Sequence, residues 1–224
     1  LGSRIAIPAF IALAATKNGI SSLICLPDTA PISKVEATKG FGADVCLVEG
    51  CYDDAYQKAL ELKDSEGYTF VHPFDDENVI AGQGTIALEV LSELDDIDAI
   101  VVPVGGGGLI SGIAYTAKKI RPSVKVYGVQ VTGAPSMYNS LKNGKIKSLK
   151  SVSTIADGIA VKKPGDNTYE YVKKYVDEIA LVSDDEVSSA ILALMEKQKM
   201  IAEGAGAAAV AAVMFNKFDF NGKR

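Results

Sequence analysis

The chain has 224 residues, 48% of them apolar and 23% charged, and a formal net charge of -5. That is ample apolar matter for a core in one large domain or two small ones. The acidic balance, without any Lys/Arg run interleaved with aromatics, speaks against nucleic acid as a partner, and no apolar run reaches the ~20 residues of a membrane span.

The N-terminus shows neither the basic region, the long apolar stretch nor the cleavage site of a signal peptide. Cys25, Cys46 and Cys51 are odd in number and not in CxxC spacing. Cys25 and Cys46 lie in apolar runs, so buried thiols in a reducing cytoplasm are expected. A zinc site or a hydrolytic triad would have to use the single histidine, His72, and a structural place in its loop is the better reading. No metal site is expected.

Helix-like and strand-like segments alternate along the chain. Ala9 to Lys17 reads as a helix closed by Asn18-Gly19, Ser22 to Leu26 as a strand, Ile32 to Lys39 as a helix and Ala43 to Val48 as a strand. Asp53 to Lys63 carries apolar residues at helical spacing, and Tyr68 to His72 reads as a third strand. Residues 1–76 form a small α/β domain in this reading, and 77–224 a larger one. The larger domain starts with a helix from Ile80 to Leu94. A strand at Val124 to Val131, a helix at Ala134 to Leu141 and a polar loop from Asn143 to Ser153 come later. Thr168 to Val176 is a helix and Ile179 to Val182 a strand. Ser183 to Glu186 is a capping box into a helix from Val187 to Lys197. Glu203 to Phe215 is a helix of small residues suited to close packing. The repeated alternation predicts an α/β fold with parallel sheets and helices on both faces.

One stretch carries chemistry. Ile100 to Val104 is a buried strand, Gly105 to Gly108 are consecutive glycines, and Leu109 to Ile120 is helix-forming. Strand, glycine turn and helix N-terminus aim free N–H groups at one point, at the positive end of a helix dipole. Such a site binds phosphate or another anion. A tight turn alone needs one or two glycines, not four. No Lys-Ser or Lys-Thr follows, so the loop is not a P-loop. No acidic residue ends a second strand about 20 residues on, so it is not the dinucleotide fingerprint.

The same loop resembles the phosphate-binding loop of pyridoxal-phosphate enzymes of the tryptophan-synthase-β type (fold type II). Three further stretches, Asp28 to Thr38, His72 to Asp76 with Ala81 to Thr85, and Thr154 to Val161, are similar to the threonine dehydratase (threonine ammonia-lyase) family, with serine dehydratase and serine racemase close by. The resemblance spans about residues 11–216. It implies two parallel three-layer α/β domains, a pyridoxal 5'-phosphate cofactor, a small amino-acid substrate and β-elimination chemistry in which the cofactor is the electron sink. By resemblance, Gly105, Gly106, Gly107, Gly108 and Leu109 match the amides that hold the cofactor phosphate. Asp157 and Gly158 match the segment beside the ring, and Glu203 the acidic residue near it. For two of these a plainer reading stands equally: Asp157 as a turn residue before Gly158, Glu203 as a charge favoured at a helix N-terminus.

The sequence also departs from that family. Its Schiff-base lysine lies in a Ser-Phe-Lys-x-Arg-Gly stretch that these residues do not contain, so no catalytic residue is assigned. Where its Ser-Ala-Gly-Asn-His loop is expected, the chain reads Ser3-Arg4-Ile5-Ala6-Ile7. It ends at Arg224, where the family continues into a strand and a Ser/Cys-Gly-Gly turn. Relatives that bind a divalent cation use Glu and Asp where this chain has Gln130 and Ser136, and neutral oxygens are poorer ligands for Mg²⁺ or Ca²⁺. These departures suggest a central segment of the family's fold with an incomplete large domain. Exposed edges make a homo-oligomer the expectation. The resemblance makes an L-threonine or L-serine ammonia-lyase by descent, with that activity lost in the chain as given, the leading reading. The alternatives are a non-catalytic phosphate-ligand binding or interaction module and a serine racemase-like relative.

Overall fold

A computed structural model describes residues 3–50, 52–220 and 222, and for residues 3–8, 52 and 53 the backbone alone. The chain divides into two compact units, Leu1–Val71 and His72–Arg224.

In the first unit α1 (Ser3–Lys17), β1 (Leu23–Pro27), α2 (Ile32–Gly40), β2 (Asp44–Val48) and α3 (Tyr52–Glu66) follow one another. Gly19 takes a φ of 68°, the left-handed turn that stops α1. β1 and β2 pair in parallel, Leu23 facing Asp44 and Pro27 facing Val48. Parallel neighbours need a crossover, and α2 is that crossover. Ala9, Ala12, Leu26, Val35, Ala43 and Ala55 make the small core.

The strand expected at Tyr68 to His72 does not form; the segment is irregular. Its β-branched and aromatic content fits a half-buried pleated surface. Here Tyr68 and Val71 are exposed, and Phe70 instead lays its ring edge-on to Tyr56 of α3. Cys25 and Cys46 also differ from expectation, being half-buried rather than buried, because a sheet of two strands has little to cover it. Cys51 lies outside the described residues.

The second unit holds α4 (Glu77–Glu93), β3 (Ala99–Pro103), α5 (Gly108–Ile120), β4 (Lys125–Val131), α6 (Ser136–Lys142), α7 (Asp166–Tyr175), β5 (Glu178–Val182), α8 (Asp184–Ala193) and α9 (Gly204–Met214). β3, β4 and β5 form a parallel sheet in that order. Alternate strand residues face opposite ways. Val102, Val126 and Ile179 join Leu91, Ile113, Met137 and Val172 in one core, beneath α4, α5, α6 and α7. Tyr127, Val129, Val131 and Val182 join Val187, Ala190, Ala208 and Ala212 in the other, beneath α8 and α9. Both faces are covered, as an all-parallel sheet requires. The small residues of α9 are what let it lie close on the sheet. The capping box forms as expected, the Ser183 hydroxyl accepting from the Glu186 N–H while the Glu186 carboxylate accepts from the Ser183 N–H. Beyond α8 the chain makes a π-type turn at Leu194–Gln198, ended by Lys199 at a φ of 56°. No helix among the described residues is long and apolar enough to cross a membrane.

Asp177, just before β5, ties three elements. It pairs with Lys118 at 2.6 Å and Lys125 at 2.8 Å and accepts the Val126 N–H at 2.8 Å. Burial works against its charge, but the two lysines and the amide outweigh that and hold its pKa below the usual carboxylate value.

α4 and α5 approach each other backbone to backbone at Gly84 and Gly112. A Cβ on Gly112 would run into the Ile80 carbonyl oxygen and lie 2.6 Å from the Gly84 nitrogen, both α4 backbone. Backbone cannot swing aside as a side chain can. Gly112→Ala is therefore expected to destabilise the second unit by about 3 kcal/mol. Gly82→Ala, on the same α4 but with nothing within 4 Å of the new methyl, is expected to be neutral or to gain up to about 1 kcal/mol in helix propensity. Urea denaturation of the two variants checks both; equal effects would contradict the close-approach account.

Candidate functional site

β3 carries the chain into the glycine stretch, and the Val104 N–H still bonds the Val129 carbonyl at 2.8 Å. From there the loop turns its carbonyls inward. The Val104 oxygen accepts from Gln130 Nε2 at 3.1 Å. The Gly106 oxygen accepts the Thr168 hydroxyl at 2.6 Å and the Gly165 N–H at 3.3 Å. The Gly107 oxygen accepts the Ser111 N–H at 3.0 Å, the first bond of α5. The amides behave in the opposite way. Among the described residues, none of the N–H groups of Gly105, Gly106, Gly107, Gly108 and Leu109 donates to a protein acceptor. Gly106, Gly107 and Gly108 are buried, and buried N–H groups are nearly always paired. Gly107 sits at a φ of 102°, which only glycine holds cheaply. A Cβ there would press on Met137 Cε and Thr168 Cβ, each at 2.8 Å, and one on Gly106 would meet the Phe74 ring at 2.5 Å. Gly105 is half-buried, as is Leu109, whose side chain packs on the core beneath α5.

The turn before α4 buttresses this loop. His72 Nδ1 accepts the N–H groups of Phe74 at 3.2 Å and Asp75 at 2.8 Å. The ring is therefore neutral, with its proton on Nε2. Burial lowers its pKa, with Asp75 and Asp76 pulling the other way. The structural role expected for this histidine is the one it has. Asp76 caps its own helix, accepting from Asn78 and Val79. Asp75 caps a distant one: its two oxygens accept the N–H groups of Asp166 and Thr168 of α7, each at 2.9 Å. The cap residue of α7 is Gly165, whose missing side chain leaves room for the Asp75 carboxylate. Asp76 was legible as an acid just before a helix; Phe74, Asp75 and Thr168 gave no local signal of their roles.

A third segment closes on the loop. A Cβ on Gly105 would lie 3.2 Å from both Ile159 Cα and Val161 Cγ2, and one on Gly204 would lie 2.8 Å from the Ile155 oxygen. The stretch from 155 to 161 thus runs between the glycine loop and the start of α9. Asp157 opens a short 3₁₀ turn there, and both it and Gly158 are exposed. Glu203 is the cap residue of α9, half-buried, and its side chain makes no capping bond. Thr154 anchors this segment, its hydroxyl donating to Asp184 at 2.5 Å. The segments that contain Gly105, Asp157 and Glu203 are therefore neighbours in the fold. The stretch Ser3 to Ile7, where the resemblance places an asparagine loop, lies outside the residues whose side chains are described. Gln130 is buried, and its Oε1 accepts the Tyr138 N–H at 2.8 Å, so both ends of its amide are spent on structure.

The pattern described as pyridoxal-phosphate dependent enzyme matches residues 9–224. The chain belongs to that family. Within the family it is similar to the L-threonine ammonia-lyase of Thermotoga maritima, 52% identical over 214 residues, covering 96% of this chain and 53% of that one. Among solved structures it is similar to the processed form of threonine deaminase isoform 2 from Solanum lycopersicum, at 39% identity and a TM-score of 0.89, covering 95% of this chain and 63% of that one. It is also similar to maize serine racemase, at 35% identity and a TM-score of 0.90, covering 95% and 65%. The chain spans about half the length of the Thermotoga relative. The parallel α/β architecture is that of the family's fold type II members.

Two measurements test the buttress. Asp75→Ala removes the acceptor of two α7 amides and is expected to cost about 1 kcal/mol in urea denaturation. The His72 pKa is lower folded than unfolded, so its contribution is complete above the ordinary value of 6.5 and is lost as pH falls from there through the lowered folded value. Stability should therefore drop between about pH 7.5 and pH 5 by more in the parent chain than in His72→Asn, which keeps an acceptor but does not titrate. Parallel pH profiles would contradict this.

Proposed function

We propose that these residues carry the phosphate-holding part of the active site of a pyridoxal-phosphate dependent ammonia-lyase. The reaction is β-elimination of L-threonine to 2-oxobutanoate and ammonia, or of L-serine to pyruvate and ammonia. The observation that carries the reading is the set of unengaged amides from Gly105 to Leu109 at the N-terminus of α5, three of them, at Gly106, Gly107 and Gly108, on buried residues.

The residues present fit a phosphate monoester. Orphaned donors and the positive end of the α5 dipole would meet its negative oxygens, and the absence of side chains lets it approach the backbone. The Gly106 carbonyl, held away by Thr168, adds no repulsion. Pyridoxal phosphate, when bound, supplies an electron sink for the carbanion at the amino acid's Cα. Asp157 and Gly158, with Glu203, are proposed to flank the ring side of the cofactor, next to the loop that grips its phosphate. The family's Schiff-base lysine is not among the 224 residues. Anchoring by this stretch alone is then non-covalent, and it lacks the principal base for moving the Cα proton. The chain by itself is expected to bind the cofactor weakly and to leave threonine unchanged.

Calorimetry with pyridoxal phosphate and with inorganic phosphate tests the site. Binding of both is expected, weakened at least about tenfold, or 1.4 kcal/mol, in Gly107→Ala. A keto-acid assay with L-threonine runs beside it. Absence of heat from both ligands would remove the phosphate site. Production of 2-oxobutanoate by these residues alone at enzyme-like rates would overturn the dependence on a lysine outside them. The likeness to maize serine racemase supports racemisation as the second reading, and conversion of L-serine to D-serine would favour it.

A further inference from the structure

The first unit contains a pair of groups that the cofactor chemistry does not use. Cys25 of β1 and Cys46 of β2 are in-register partners in the parallel ladder. Facing residues on neighbouring strands point to the same side of the sheet, with their backbones about 4.8 Å apart. That lies inside the Cα separation of roughly 4.4–6.8 Å that a disulfide spans. The Cys46 side chain lies near enough to push the Cys25 thiol pKa up. Both are free thiols and only half-buried, so a small solute can reach them.

We propose that Cys25 and Cys46 are a modification site, a dithiol that an organic disulfide such as oxidised glutathione converts to an intramolecular disulfide joining β1 to β2. In the first step the Cys46 thiol gives up its proton, its sulfur attacks one sulfur of the oxidant, and the oxidant's S–S bond breaks. The departing thiolate takes a proton and leaves as free thiol. In the second step the Cys25 sulfur, its proton lost, attacks Cys46 Sγ in the mixed disulfide and expels the second thiol. Two cysteines are oxidised by two electrons, one organic disulfide is reduced to two thiols, and both protons end on those thiols. The order follows from the environment. Burial first, and the neighbouring Cys46 second, push the Cys25 thiol up to about 11, with the Lys58 ammonium of α3 opposing them. Cys25 is thus the slower nucleophile toward solution and the resolving partner once a mixed disulfide stands beside it.

The test treats the folded chain and its Cys51→Ser variant with oxidised glutathione, followed by intact mass and peptide mapping without reductant. Expected is a loss of about 2 Da in Cys51→Ser, and in both chains a cross-linked peptide pair containing Cys25 and Cys46 with no glutathione retained on either residue. Cys25→Ser is expected to stop at a stable glutathione adduct on Cys46. A stable glutathione adduct on Cys25 or Cys46 of the parent chain, a cross-link to Cys51 instead, or no reaction until urea unfolds the chain would each overturn the proposal. Mapping the parent chain in parallel keeps the result decisive if Cys51→Ser folds poorly.

Discussion

The carbonyl of Gly106 is tied back into the protein, and the candidate site depends on that. With the Thr168 hydroxyl and the Gly165 N–H bonded to its oxygen, the peptide plane is fixed, and its own N–H, that of Gly107, points opposite to those bonds. A free glycine loop would sample many orientations and lose most of the advantage of its donors to entropy. Here that entropy is lost during folding. The Phe74 ring over Gly106, Met137 beside Gly107 and Val161 beside Gly105 complete the mould.

The mould is in turn held by the helices. Asp75 reaches across 91 residues to the first turn of α7, which positions Thr168. His72 holds the Asp75 backbone, and Asp76 starts α4 from the same turn. α4 then lies so close to α5 that both need glycine at the crossing, Gly84 and Gly112. A single five-residue turn thus organises two helices around the loop. Its effect on any ligand would be indirect, through the geometry of the Gly106 peptide.

The sequence disclosed those features that are written locally. The apolar run of β3, the glycines and the amphipathic α5 are contiguous, so periodicity and composition reveal them. The capping box at Ser183 and the alanine-rich α9 are equally local. What it hid is nonlocal. Nothing near Asp75 points to a helix that begins at Asp166, and nothing near Thr168 points to Gly106. The stretch from Tyr68 misled because strand-like composition reports suitability for a sheet surface, and among the described residues it pairs with no strand. Cys25 and Cys46 looked buried for the same reason, since apolar neighbours in the chain do not guarantee cover from other elements.

The most direct measurement is a titration of the ¹⁵N-labelled chain with inorganic phosphate, followed residue by residue in amide NMR. Downfield proton shifts are predicted for Gly105 to Leu109, with little movement at Gly165 and Thr168, whose bonds to Gly106 and Asp75 are already made. Shifts spread over exposed lysines, with the loop amides unmoved, would contradict the account.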